Sequence, residues 1–238
     1  MRTTMKRSLL FLLFPLMACA QDNAPGGATG STDQTVAQEV KADDQRRELL
    51  SIHSDPRDEW QQPEKLLELM GDIDGIVIAD LFAGDGYFTF KLIDAGARVI
   101  AIVNDVANYE AIMARRKSLG LGDDRLKVRA VPVGDPGLMP NEVDLGLIVH
   151  AFPGIKDKKG YLKLLRNGMR PPRALFMVEW QNRETPVGPP LAERMSPESI
   201  MDEFVGTGFT DLSARAKTMP YDVLFMMTDP MDEYMEGE

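Results

Sequence analysis

Seven short apolar runs follow one another after residue 75, and each has the length of a β-strand. They cover residues 76–79, 98–104, 126–131, 143–150, 174–180, 209–217 and 221–228. The first five alternate with segments whose apolar residues recur at helical spacing, such as Phe88, Leu92 and Ile93. Alternating strands and helices are typical of a parallel sheet covered on both faces. We therefore predict one α/β domain with a doubly wound seven-stranded sheet and an antiparallel last strand.

A turn rich in small residues separates the first predicted strand from the first helix of the sheet. The run IVIADLFAGDGYFTF places Asp80 after the apolar strand and puts Gly84 and Gly86 in the turn. Glycine lets the backbone turn tightly and lets a ligand approach the main chain and the first amides of the next helix. Asp80 would face the crevice in which open α/β sheets bind ligands.

The pattern Asp80-x-Phe82-x-Gly84-x-Gly86 resembles motif I of class I S-adenosylmethionine (SAM)-dependent methyltransferases. Phe82 stands where that family commonly has glycine, although an Asp-Leu-Phe-Ala-Gly variant also occurs. The resemblance covers about residues 57–229 and implies the Rossmann-like class I methyltransferase fold. It also implies SAM as cofactor, bound over the turn by Asp80, Phe82, Gly84, Asp85 and Gly86.

Two further carboxylates follow from the same resemblance. In the family, an acidic residue at the end of the second strand binds the ribose hydroxyls, but the aligned position here holds Val103. Asp105 is the next carboxylate along the chain that would reach the ribose. Asp135 takes the place of the residue near the adenine amine, although an Asp before Pro is also an ordinary turn residue. No catalytic residue is identified by the resemblance.

Polar and aromatic residues also end the fourth and fifth predicted strands. His150 follows the fourth strand and is either a structural histidine or a group that touches substrate or acts as general base. Glu179 and Trp180 end the fifth strand, where they would orient a substrate and form a pocket wall.

Residues 57–63 (RDEWQQP) resemble a segment of exported bacterial proteins called predicted methyltransferases; the alternative is a segment that covers the sheet, with Trp60 in the core.

The first residues have the features of an export signal. Three basic residues precede an apolar stretch at 9–14 that is too short to span a bilayer. Leu16-Met17-Ala18-Cys19 resembles the lipobox of bacterial lipoproteins, which makes Cys19 the predicted lipidation site; the alternative is ordinary cleavage after Ala18 or Ala20. Because residue 20 is Ala and not Asp, the predicted location is the bacterial cell envelope, lipid-anchored in the outer membrane and facing the periplasm.

Composition adds the domain boundaries and limits the partners. We predict a signal peptide at 1–18, a flexible Gly-, Pro- and Ser-containing tether at 19–41, the domain at 42–229 beginning with a short helix at 42–52, and an acidic tail at 230–238. The net charge of −10 argues against a nucleic-acid or anionic-membrane surface, which leaves a small-molecule substrate and a membrane contact through the lipid anchor only. With two distant histidines and one cysteine, no His/Cys metal site is expected.

Three hypotheses about function follow. The first is an envelope-anchored SAM-dependent methyltransferase whose acceptor the sequence does not name. The second is a methyltransferase-like lipoprotein that acts as a binding or scaffold protein, motivated by Val103 and by the predicted location. The third is a nicotinamide-dependent enzyme, which is weakened because Thr89 stands where the third small residue of that fingerprint would be.

Overall fold

The computed structural model of the protein describes residues 55–229. The predicted signal peptide, Cys19, the tether, the helix at 42–52 and the acidic tail all lie outside these residues. No helix within 55–229 combines the length and apolar character that crossing a bilayer requires.

The described chain forms one mixed sheet with the strand order β3-β2-β1-β4-β5-β7-β6. The first five strands are parallel, whereas β7 runs antiparallel to both of its neighbours. This confirms the predicted doubly wound α/β sheet with an antiparallel last strand. The strands are β1 Val77–Leu81, β2 Arg98–Val103, β3 Leu126–Ala130, β4 Val143–Val149, β5 Met169–Trp180, β6 Asp211–Arg215 and β7 Asp222–Thr228.

β5 begins five residues earlier than the apolar pattern predicts. Met169 pairs with Val143 and Ala174 pairs with Leu145, so β5 carries extra residues at a register shift. Two of them, Pro171 and Pro172, cannot donate to a strand ladder and are tolerated at such an irregularity. The prolines interrupt the apolar pattern, and for this reason the pattern did not predict the first half of the strand.

The helices begin where short polar side chains or proline favour a start. Asp105, Asp157 and Ser196 each accept a hydrogen bond from the backbone amide three residues later, which satisfies an otherwise unpaired donor. Pro63 and Pro197 occupy first helical positions, as predicted. The helices are α1 Asp58–Gln61, α2 Pro63–Met70, α3 Tyr87–Asp94, α4 Val106–Ser118, α5 Lys158–Gly168 and α6 Pro197–Phe204.

Two hydrophobic clusters cover the faces of the sheet. One cluster contains Phe88 and Leu92 of α3 with Ile112 of α4, and the other contains Tyr161 of α5 with Phe204 of α6. Successive residues of β2 alternate between the two clusters, which is why the strand sequence is continuously apolar. Parallel strands buried on both faces leave their carboxyl ends as the edge available to a ligand.

The strand order reverses between β1 and β4, and the residue after each of these strands has an unusual backbone. Phe82 follows β1 with φ of 59°, and His150 follows β4 with φ of 54°. Non-glycine residues with positive φ are uncommon and cost backbone strain, and they concentrate at functional sites. Both positions lie at the crevice that the reversal of strand order opens.

Candidate functional site

The turn after β1 contains two glycines with different surroundings. Gly86 has φ of +85°, and a Cβ added there would lie 2.9 Å from the Ile112 Cγ1 atom and 2.9 Å from the Phe90 Cε2 atom. Gly84 has φ of +54°, and the nearest described atom to an added Cβ is the Phe82 carbonyl oxygen at 4.0 Å. Gly86 therefore permits helix packing, whereas Gly84 leaves the main chain open to a ligand.

Asp80 braces the helix that follows this turn. Its side chain is buried, and its Oδ2 atom accepts a hydrogen bond of 2.5 Å from the Thr89 hydroxyl. The Thr89 backbone amide also donates to the carboxylate. Gly86, the residue before α3, has no side chain to cap the helix, so Asp80 supplies that acceptor from β1. Burial raises the pKa of Asp80 to about 7, against the lowering effect of the Thr89 hydrogen bonds.

Asp85, the exposed carboxylate of the turn, holds α1 in place. It accepts hydrogen bonds of 3.2 and 2.8 Å from the two terminal nitrogens of Arg57, which also binds Asp55. Next to this contact, the Tyr87 hydroxyl donates to Asp58 at 2.6 Å. The short helix α1 is thereby fastened across the turn by charged and hydrogen-bonded side chains.

A cavity of about 130 Å³ remains between α1 and the turn. Its lining includes Gln61, Asp80, Phe82, Gly84 and Asp85. Ligand pockets usually measure about 300–1,000 Å³, so this space is smaller than a nucleoside-sized ligand needs. Gln61 is only 6% exposed, and its Oε1 atom has no hydrogen-bond partner among the described residues. A buried acceptor without a donor is costly, and it is available to a ligand in the cavity.

The carboxylates after β2 and β3 make local contacts. Asp105 is exposed and caps α4 by accepting from the Asn108 amide at 2.8 Å, and exposed Asp135 accepts from the Gly137 amide at 2.8 Å. Neither residue belongs to the described lining of the cavity over the turn. Val103, at the predicted ribose position, is buried in the hydrophobic cluster beside α3 and α4.

His150, at the end of β4, pairs with a buried carboxylate from the last strand. Its Nε2 atom lies 2.9 Å from Oδ1 of Asp222, which is fully buried. A carboxylate only accepts hydrogen bonds, so Nε2 carries the proton and Nδ1 keeps a lone pair in the neutral ring. The Nδ1 atom faces the Gln61 amide nitrogen at 3.5 Å.

Trp60, His150 and Trp180 form an aromatic cluster that joins α1 to the sheet. The ring centroids of His150 and Trp180 are 4.1 Å apart, and those of Trp60 lie 5.2 Å from Trp180 and 6.0 Å from His150. All three rings are close to parallel, with interplanar angles of 16–25°. These are the two tryptophans of the chain, so both lie beside the same histidine. Trp60 is half-buried, belongs to neither hydrophobic cluster and packs on the rings of His150 and Trp180, so it is not the core residue of the alternative prediction.

A second cavity of about 580 Å³ opens beside His150 and Trp180. Glu179 lies in its wall and is buried, accepting a hydrogen bond of 2.9 Å from the Phe152 amide and another from the Ala151 amide. Burial raises the pKa of Glu179 to about 8, while the two amides act to lower it. The positions of His150, Glu179 and Trp180 around one cavity agree with their predicted place at the strand ends.

Arg194 and Asp222 belong to this region and were missed from the sequence. The Arg194 guanidinium donates to the carbonyl oxygens of Gln181, Arg183 and Pro189, which fixes the loop that forms the outer wall. Asp222 opens the apolar run DVLFMM and pairs in register with Trp180. The signal that could have revealed Asp222 is a charged residue at the start of an otherwise apolar strand.

Comparison with known proteins identifies the architecture. No protein-family model and no curated protein matches the chain. Among solved structures, a SAM-dependent methyltransferase from Aquifex aeolicus superposes with a TM-score of 0.65 at 20% identity, over 77% of this chain and 97% of that one. The chain has the class I methyltransferase fold.

Two other solved structures of this fold carry more specific names. The glycopeptide N-methyltransferase MtfA matches with a TM-score of 0.57 at 15% identity, over 71% of this chain and 90% of that one. The 1,6-didemethyltoxoflavin-N1-methyltransferase of Burkholderia thailandensis matches with a TM-score of 0.53 at 17% identity, over 87% and 93%. That structure contains 1,6-didemethyltoxoflavin and S-adenosylhomocysteine. At these identities the likeness establishes the fold alone.

Proposed function

We propose that the protein is a SAM-dependent methyltransferase. The carrying observation is the turn after β1, where Gly84 leaves the main chain open at the point where the strand order reverses in a class I methyltransferase fold. Ligands of open α/β sheets bind in this crevice, where the main chain at Gly84 can be approached closely. When bound, SAM supplies a methyl group on a positively charged sulfur.

The residues around the turn fit such a cofactor once α1 has moved. Phe82, Gly84, Asp85 and Gly86 would form the bed of the site, with Asp80 bracing it from below. The unpaired Oε1 atom of Gln61 is an acceptor for a donor on the ligand, such as the SAM ammonium group. The Burkholderia thailandensis neighbour with S-adenosylhomocysteine supports this choice of cofactor. Asp105 and Asp135 remain the proposed ribose and adenine contacts.

The cofactor proposal is tested by titrating S-adenosylhomocysteine into the purified full-length protein in a calorimeter. We expect measurable heat and a thermal shift of a few degrees, because a ligand that binds only the folded state stabilises it. Gly84→Val should abolish the heat, because it places a side chain in the open approach to the main chain. Gly120→Val is the matched control, since Gly120 also has positive φ and open surroundings but lies after α4. No heat with the unmodified protein at millimolar ligand would overturn the proposal.

We further propose that Cys19 anchors the enzyme in the cell envelope through a lipid, with the outer membrane as the location. The support is the lipobox-like run before Cys19. Cys19→Ala should leave an unprocessed or soluble precursor when cells are fractionated. A mature-sized, acylated variant in the membrane fraction would refute the anchor.

A second candidate function is a binding or scaffold protein that kept the fold without the reaction. The observations that favour it are buried Val103 at the ribose position and the 130 Å³ cavity beneath α1. Under this alternative α1 stays in place, so millimolar SAM leaves the fluorescence of Trp60 and Trp180 unchanged. Methyl transfer to any component of an envelope extract would exclude it.

A further inference from the structure

We propose that His150 is the general base of this methyltransferase, and that it takes the proton from the hydroxyl of a small uncharged phenol or enol bound in the cavity beside Trp180. The inference rests on the proposed function and adds to it a catalytic residue and a substrate class. Three features of the structure carry it: the fixed imidazole, the poorly matched amide in front of it, and a cavity whose described lining leaves no cation for an anionic acceptor.

The imidazole of His150 is held in one orientation and one tautomer. Asp222 accepts from Nε2 at 2.9 Å, Trp180 stacks on the ring at 4.1 Å, and the His150 backbone amide donates to the Val178 carbonyl at 2.9 Å. A buried carboxylate behind the ring also stabilises the positive charge that the ring acquires on taking a proton. The Oδ2 atom of Asp222 has no partner among residues 55–229, so the carboxylate keeps capacity to accept. This arrangement leaves Nδ1 as the proton acceptor.

The group now in front of Nδ1 is a poor partner for it. The Gln61 amide nitrogen lies 3.5 Å away, beyond the usual 2.7–3.2 Å of an N–H donor. Gln61 also leaves its own Oε1 atom unpaired while buried. The displacement of α1 proposed for cofactor binding takes Gln61 away from Nδ1, and a ligand hydroxyl then donates to Nδ1 in its place. The position in front of Nδ1 is therefore available to a hydroxyl donor once α1 has moved.

The cavity lining favours an uncharged acceptor. Its apolar part comes from Ala151, Pro153, Pro189, Trp180 and Met195. The charged groups facing His150 and the cavity are Asp222, Glu179, Glu193 and Arg194. Of these, Asp222 is bound to His150, and the Arg194 guanidinium is used by loop carbonyls. Glu179 is bound to backbone amides and Glu193 is exposed, so no cation is left to neutralise an anionic acceptor within the described lining.

A base is needed because a neutral hydroxyl attacks weakly, whereas a neutral amine attacks with its own lone pair. Phenols and enols are the suitable hydroxyls, since their acidity lies within a few units of that of an imidazolium, about 10 against about 6.5. The acceptor O–H bond breaks and its proton forms an N–H bond at Nδ1. The electron pair left on oxygen makes the O–CH₃ bond, and the pair of the former S–CH₃ bond stays on sulfur. The imidazolium then returns its proton to water.

Nitrogen NMR on protein with isotope-labelled histidine tests the tautomer and the ligand directly. The chain has only two histidines, so His53→Gln assigns the signals of His150. We expect a neutral ring protonated at Nε2, and a shift of the Nδ1 signal when phenol is added. Anisole, which has the same ring but no O–H, should not cause that shift. A ring protonated at Nδ1, or an equal or absent response to phenol and anisole, overturns the proposal.

Asp222→Asn tests the positioning role of the carboxylate in the same spectra. The Asn amide can donate as well as accept, so it allows the opposite tautomer, and we expect the proton to distribute over both ring nitrogens. An unchanged Nε2–H tautomer in this variant would show that Asp222 does not set the proton position, which contradicts the assignment of Nδ1 as the base.

Turnover separates this inference from the proposed function. Labelled SAM and a panel of phenols are incubated with the wild-type protein, His150→Asn and His53→Gln. We expect His150→Asn to lower kcat by about 10²–10⁴-fold, the usual contribution of a general base, with S-adenosylhomocysteine affinity within about twofold. If wild type binds no S-adenosylhomocysteine, the proposed function fails. If it binds the ligand but phenol turnover is absent or survives His150→Asn, this inference alone fails.

Discussion

The turns after β1 and β4 begin alike and present different chemistry. Each starts with a non-glycine residue of positive φ, Phe82 in one and His150 in the other. The β1 turn then offers open backbone at Gly84, whereas the β4 turn offers a side chain already paired with a buried carboxylate. The ends of two neighbouring strands therefore suit different tasks: the β1 turn suits ligand binding by the main chain, and the β4 turn suits proton transfer.

A buried carboxylate supports each turn by accepting hydrogen bonds from backbone amides. Asp80 accepts from Thr89 at the start of α3, and Glu179 accepts from Ala151 and Phe152 beside His150. Burial raises the pKa of both carboxyls, to about 7 and about 8. The two turns therefore rest on groups that become costly to the fold when they ionise.

Gly86→Val should have the largest effect, because it breaks the β1 turn itself. The new side chain would meet Ile112 and Phe90 at 2.9 Å with a backbone in the left-handed region. Strain of about 1–3 kcal/mol and overpacking of about 1–3 kcal/mol together predict a loss of about 2–6 kcal/mol in the free energy of unfolding. Urea denaturation measures it. Gly84→Ala introduces backbone strain but no steric clash, so it should lower the free energy of unfolding by only about 1–2 kcal/mol. Equal losses for the two variants would contradict the different roles of the two glycines.

Glu179→Gln tests the support of the β4 turn through its pH dependence. The folded-state pKa is raised from 4.5 to about 8, so the folded state binds the extra proton and wild-type stability falls as the pH rises through this window. Gln does not ionise, so the variant does not lose stability in this way. The free energy of unfolding of the variant, relative to that of wild type, should rise by about 2–4 kcal/mol between pH 5 and 9. Thermal unfolding at a series of pH values measures it. A difference that does not change with pH would show that Glu179 stays ionised in the fold.

Asp80→Asn tests the support of the β1 turn in the same way, and we expect a slightly smaller effect on stability at lower pH. The pKa is raised from 3.8 to about 7, so wild-type stability is fully present below pH 4 and is lost as the pH rises through 7. We expect the stability of the variant relative to wild type to rise by about 2–3 kcal/mol from pH 4 to 7 and then level off. The Asn oxygen can still accept from Thr89, which keeps α3 capped. Glu179 is present in both proteins, so its titration cancels in this difference. A difference that does not change between pH 4 and 7 would show that Asp80 stays ionised in the fold.

Arg57→Ala should have the smallest effect on stability and a clear effect on α1. Arg57 pairs with Asp85 and Asp55 at a partly exposed position, so losing both ion pairs should cost only about 1 kcal/mol. Freed from the β1 turn, Trp60 should leave His150 and Trp180 more often, which changes tryptophan fluorescence. The exposed Glu59 on the same helix gives the control Glu59→Ala. Identical spectra for both variants would show that the Arg57–Asp85 pair does not hold α1.

The sequence predicted the β1 turn better than the β4 turn because the evidence for the first is local. Strand, Gly84 and Gly86 follow one another within a short run, and the alternation of strands and helices determines the sheet around them. The partner of His150 lies in β7, seventy-two residues along the chain, and no periodicity links the two. Val103 was recognised as a departure from the family pattern, but its burial in the core could be seen only once both faces of β2 were known.

The same separation along the chain gives the site an order of assembly. His150 acquires Asp222 only when β7 has inserted beside β5, and β7 is the last strand within residues 55–229 to leave the ribosome. A chain that stops before residue 222 would contain the complete β1 turn but no carboxylate behind the imidazole. Proton transfer of the proposed kind therefore begins only after synthesis of the described domain is finished.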